Sequence, residues 1–241
     1  MMIFIKQFAL NILNIFLLLA NISTPCVAQT TTHPAVVNSS PSLVANKSLD
    51  EAVNRIAYSI HGFTPGDPKM SAALALLKNN ATETVAFIKQ NHTTAELVRF
   101  LQEESNSKEV RRSNALGMII ITLGKLENTD ANDLLGQWYL ELQEQRKETA
   151  NNNKLEKELV IYQYFILHNL RGRYVKPVAD SILSRLPDMN ENERKLSLLY
   201  LATSAKGQTE VREQLKQLSA SNKALAQDSF IQKTLHALAE K

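Results

Sequence analysis

EVRRSNALGMIIITLGKL, residues Glu109 to Leu126, is the stretch whose reading decides the fold. Its entrance carries Glu, Arg, Ser and Asn, and its middle sets four apolar residues, Met118 to Ile121, in succession. With no proline inside and apolar residues continuing to Leu123, it reads as an α-helix whose apolar surface covers more than one face. A helix of this kind is flanked on both sides. The segments around it must therefore supply further helices.

They carry the punctuation of helices. Ser48-x-x-Glu51 is a capping box before Leu49, Val53, Ile56 and Ile60 at helical spacing. Asp67 precedes Pro68, which is tolerated at a first helical position because its missing N–H would be unpaired there anyway. Thr82 precedes Val85 and Ile88, Thr93-x-x-Glu96 precedes Leu97, Phe100 and Leu101, and Ser107 opens the quoted helix. Asp130-x-x-Asp133 is expected to start a helix with Leu134, Leu135, Trp138, Tyr139 and Leu142 along one stripe, which makes Trp138 a core residue. Asn153-x-x-Glu156 starts a helix through Leu170 that Gly172 terminates, and Pro177 starts one that Pro187 stops. Asn190-x-x-Glu193 caps a helix ending near Gly207, followed by helices at Thr209–Leu218 and Ser221–Ala239. No short run alternates strictly between apolar and polar residues, so no sheet is expected.

The expected fold class is all-α, with antiparallel helix pairs stacked together. EVRRSNALGMIIITLGKLENTDANDLL resembles a unit of the HEAT and armadillo repeat proteins in its basic entrance, central Ala-Leu-Gly and Asp-bearing turn before a Leu-Leu helix. VIYQYFILHNLRGRYVKPVADSILSRL resembles a second unit and ERKLSLLYLATSAKGQTEVREQLKQL a degenerate third, so the resemblance spans about residues 107–218. The helix starts at Ser107, Asn153 and Asn190 fall near the period of about 40 to 47 residues of such repeats. That family implies an α-solenoid with a long protein-binding surface. The proline often found within the first HEAT helix is absent, which leaves an irregular α-bundle as the alternative architecture.

The ends and the composition add a compartment. Lys6, the apolar run Phe8 to Ala20 and the small residues of Cys26-Val27-Ala28 have the layout of a secretory signal peptide over residues 1–28. Asn11 and Asn14 interrupt a run already short for a membrane span, so no membrane insertion is expected after cleavage. An uncleaved anchor, or a lipoprotein anchored at Cys26, is the alternative; Ser23 and Pro25 depart from the lipoprotein pattern. Residues 29–47, rich in Thr, Ser, Asn and Pro, read as a disordered tether before a single helical domain over residues 48–241. Cys26 is the chain's only cysteine, so an exported chain cut after Ala28 folds without disulfides. A net charge of +3 argues for neither nucleic acid nor an anionic membrane as partner.

No spacing carries a metal site or cofactor. His33, His61, His92, His168 and His236 are scattered one to a segment, and Asp188-x-Asn190-x-Asn192 begins like a calcium loop but continues with Glu193 where the turn needs Gly. No GxSxG motif and no glycine-rich phosphate loop occur. Glu104-Ser105 followed by Leu116-Gly117-Met118 is similar to the catalytic Glu and Gly-Leu-Met-Gln signature of lytic transglycosylases, with Ile119 in place of the Gln. That likeness implies Glu104 as the acid of a glycan-cleaving envelope enzyme. The other reading places Glu104 on a solvated helix end.

The candidate binding residues are Arg171, Arg173 and Tyr174, two guanidiniums and a phenol presented at a helix-ending loop. The alternative gives Arg171 to the helix dipole and Tyr174 to packing at the turn. Taken together, the expectation is an exported periplasmic or extracellular helical-repeat adaptor or scaffold, not an enzyme, whose partner is another protein. The enzyme built on Glu104 is the alternative.

Overall fold

Side chains that cap helices fix where this chain turns, and the turns decide which helices meet. The computed structural model describes residues 41–58, 67–96, 99, 107–149 and 153–239, all within one unit, Ser40–Lys241. The described α-helices are α1 (Pro41–Ala57), α2 (Pro68–Asn79), α3 (Ala81–Asn91), α4 (Ser107–Leu126), α5 (Thr129–Glu148) and α6 (Asn153–Asn169), followed by α7 (Lys176–Arg185), α8 (Glu191–Ser204), α9 (Thr209–Ser221), α10 (Lys223–Ala226) and α11 (Ser229–Ala237). A 3-10 turn at Leu186–Asp188 follows α7, and the described residues contain no strand. The fold is all-helical. Residues 1–40, Ile60, His61, Leu97, Phe100, Leu101 and Glu104 lie outside the described residues.

Several caps act as their sequence implies. Asp67 accepts from the backbone N–H groups of Lys69 and Met70 with Pro68 at the first position of α2. Thr93 and Glu96 bond reciprocally, each backbone N–H reaching the other's side-chain oxygen at 3.3 Å. Asn190 caps α8 by accepting from the N–H groups of Asn192 and Glu193. Gly172, at φ +78°, turns the chain out of α6 in the left-handed region that a side chain would resist.

Several boundaries differ from expectation; Thr82, for one, lies within α3, whose N-cap is Asn80. α1 starts at Pro41 rather than at Ser48, inside the stretch read as a tether, because no residue from Ser42 to Lys47 breaks a helix that Pro41 is suited to begin. The cap of α5 is Asn128, which accepts from the N–H groups of Asp130 and Ala131, so Asp130 lies inside the helix. The helix expected from Ser221 to Ala239 is two helices, α10 and α11, because Asp228 accepts from the N–H of Phe230 and caps a new start.

The quoted stretch behaves as its composition demands. On α4, Ile119, Ile120 and Leu123 are buried, while Met118 and Ile121 are half-buried on the flanks. α4 packs against α1, α5 and α6. Its approach to α6 is close: a Cβ on Gly124 would stand 2.7 Å from the Cβ of Asn169. Trp138 is a core residue, buried on α5 with Leu134, Leu135, Tyr139 and Leu142. Each buried Leu or Ile contributes about 1.5–3 kcal/mol.

Helices two apart in the chain also meet. α4 packs on α6, α6 on α8, α5 on α7, and α7 on α9; α3 adds to α5, and α11 packs on both α8 and α9. No helix of the described residues is long and apolar enough to cross a membrane.

Candidate interaction surface

The loop Arg171 to Tyr174 is built by the end of α6 and held from behind by α8. The Gly172 N–H donates to Ser204 Oγ at 3.0 Å, and Ser204 Oγ in turn donates to the Leu170 carbonyl at 3.2 Å. Tyr200 OH accepts from the Val175 N–H at 3.1 Å and donates to the Arg173 carbonyl at 3.3 Å. Burial pushes the Tyr200 phenol up to about 12, although the Val175 bond opposes the rise. It stays a neutral donor and acceptor, so α8 fixes the loop through two side chains.

This geometry divides the residues singled out from the sequence. Arg171 is exposed just beyond the end of α6. Arg173 is half-buried, with Nη1 donating to the Asn169 carbonyl at 3.0 Å and lying 3.5 Å from Asn132 Oδ1 on α5. It closes the C-terminus of α6, the role in which a cation meets the free carbonyls of a helix end. Tyr174 is half-buried and packs against the core, and burial raises its phenol above the ordinary value. The three do not form one cluster of exposed groups.

Beyond Tyr174 a groove of about 580 Å³ runs between α7 and α9, lined by Leu183, Leu218, Gln214 and Gln217 among others. Lys176 Nζ bridges Asp180 at 3.1 Å and Glu210 at 3.3 Å across its mouth. These hydrogen bonds hold Lys176 above its ordinary value, and one ammonium serves two carboxylates there.

Two arrangements escaped the sequence. The first is internal: Arg146, near the end of α5, donates from Nη1 to Gln163 Oε1 at 2.8 Å and from Nη2 to Glu156 Oε1 at 3.2 Å, and its Nη1 forms an ion pair with Glu193 Oε1 at 2.7 Å. Arg146 and Glu193 are both 8% exposed. The Gln163 amide donates onward to the Tyr139 carbonyl at 3.2 Å, and Asn190 Nδ2 donates to Glu193 Oε2 at 2.7 Å. One guanidinium thereby joins α5, α6 and α8. A signal existed, because Arg146 continues the stripe of Leu135, Trp138 and Leu142, where a charge is out of place unless paired.

The second is external. Leu199 on α8 is 42% exposed and Phe230 on α11 is 39% exposed, although both helices pack together. Lys195 Nζ stands 5.1 Å and Lys233 Nζ 5.4 Å from the centroid of the Phe230 ring. The signal here is weak, since Phe230 follows the capping Asp228 closely and falls within the longer helix that the apolar spacing from Ser221 to Ala239 implies.

Among the described residues no three His, Cys, Asp or Glu side chains are grouped to hold a metal ion. Glu104 lies outside the described residues. No family model, curated protein or solved structure matches the chain.

Proposed function

We propose that this chain is an exported helical adaptor or scaffold, a stack of helix pairs in the manner of HEAT and armadillo proteins that offers its outer surface to another protein. The observation that carries the reading is the packing of helices two apart, α4 on α6 on α8 and α5 on α7 on α9. Contacts of this order arise when supersecondary units stack and each covers the apolar face of the next. The outer faces of such a stack are long, and the adaptor reading uses them. The signal peptide expected over residues 1–28 sends the chain out of the cytoplasm.

Two measurements test this. N-terminal sequencing of the protein recovered from an envelope or culture fraction should begin at Gln29; recovery in the cytoplasm with Met1 retained contradicts export. Cross-linking in that fraction, followed by mass spectrometry, should join the chain to a defined protein through surface residues. Loss of function in Glu104→Gln alone, with glycan fragments as the recovered material, would favour the glycan-cleaving enzyme instead.

A further inference from the structure

The helices of this fold are not held equally. α5 buries nine residues between Ala131 and Arg146. The segment from Lys223 to Leu238, which makes α10 and α11, buries four: Leu225, Ile231, Thr234 and Leu238. A helix of nine residues, the length of α11, is marginal in water by itself. It forms here because α8 and α9 hold its buried face. Its folding and its docking are therefore one event.

A single carboxylate controls both. Asp228 Oδ1 accepts from the Phe230 N–H at 2.8 Å and starts α11, while Oδ2 lies 2.7 Å from Arg194 Nε on α8. Arg194 is itself anchored, because its Nη1 donates to the Met189 carbonyl at 3.2 Å ahead of that helix. The two side chains are only 20% and 12% exposed, so water and salt compete weakly for the pair. Asp228 also joins α11 to α10: its N–H donates to the Leu225 carbonyl at 3.1 Å. A second, longer polar contact to α8 runs from Thr234 Oγ1 to the Leu198 carbonyl at 3.5 Å.

We propose that α10 and α11 form a latched strap that opens from α8 and α9 as one unit while α4, α5 and α6 stay closed, with the Arg194 and Asp228 pair as its latch. Breaking the latch removes the start of α11 and its charged contact with α8 together, so the helix melts as it leaves. Opening uncovers the sides of α8 and α9 that α11 packs against. The device is a property of the fold and stands or falls separately from the adaptor reading.

Amide hydrogen exchange followed residue by residue by NMR tests this on the chain under native conditions. Ala226 and Asp228, whose N–H groups are bonded at α10, and the amides of α11 through Leu238 should share one opening constant. That constant should exceed those of α5 and α6 at least about a hundredfold. Asp228→Ala, which removes both the cap and the pair, should speed exchange throughout the strap about tenfold and leave α5 and α6 unchanged. Asp228→Asn keeps a capping oxygen and loses the charge, so its acceleration should be smaller and equally spread over α10 and α11. Strap amides that exchange as slowly as those of α5 and α6 overturn the proposal. Protection that falls away gradually along α11 also overturns it, because that is fraying of a helix end. So does an Asp228→Ala variant that speeds α5 and α6 as much as α11, the result expected if the strap has no opening of its own.

Discussion

Arg146 and Arg171 are the same residue in opposite settings. The guanidinium of Arg146 is enclosed by α5, α6 and α8 and contacts Gln163, Glu156 and Glu193. That of Arg171 stands exposed beyond the end of α6. Water would satisfy either charge in the unfolded chain. Inside the fold Gln163, Glu156 and Glu193 do so at the two Nη groups of Arg146, while its Nε is buried without a hydrogen-bond partner, and removing one member leaves another buried without compensation. The lesson is that charge on this protein divides into an internal part that sets how helices meet and an external part left in water. Arg173 lies between them, half-buried and bonded to the carbonyl end of α6.

The comparison is broken most severely at its buried member. Arg146→Leu should lower unfolding free energy by about 3–5 kcal/mol, read by urea denaturation, because Glu193 is left buried without its cation. Tyr200→Phe comes next. It removes the oxygen that serves the buried Val175 N–H and should cost about 1–3 kcal/mol, with the loss visible as faster amide exchange at Val175. Arg173→Ala should cost about 1 kcal/mol through loss of the bond to the Asn169 carbonyl.

A smaller effect sharpens the distinction through pH. Partial burial works against the charge of Asp228, but the hydrogen bonds from Arg194 and the Phe230 N–H outweigh it and hold the carboxyl below its usual 3.8. A depressed folded value means that the ionised form stabilises the fold. Its contribution is complete above the unfolded value and is lost as pH falls through the lower folded one. Asp228→Asn should therefore flatten the decline in stability below about pH 4, measured by thermal melts across pH. Arg171→Ala should change stability least, by under about 0.5 kcal/mol, read by the same urea denaturation.

How much of this was legible depended on the range of the chemistry. Asp67 with Pro68, Thr93 with Glu96, Asn190 with Glu193, and Gly172 all act on groups a few residues away, and their roles could be read from spacing alone. Boundaries failed where a competing local choice existed. Asn128 and Asp130 can both cap, and the structure uses Asn128. Asp228 stood inside an apolar period, yet its side chain starts a new helix and pairs with Arg194 on α8. The Arg146 junction needed the tertiary fold, because its acceptors sit on two other helices. The loop at Arg171 is legible as a turn from Gly172. Its division into an exposed cation, a helix-closing cation and a packed phenol depended on Ser204, Tyr200 and Asn132, none of which adjoins it in sequence.

The most direct test of this division is a double-mutant cycle in urea on Arg146→Leu, Glu193→Leu and the pair together. Each single variant should lose several kcal/mol, and the pair should lose clearly less than the sum because no buried charge is left without its partner. Additive losses, or an Arg146→Leu variant as stable as the parent, would contradict the claim that this guanidinium keys α5, α6 and α8.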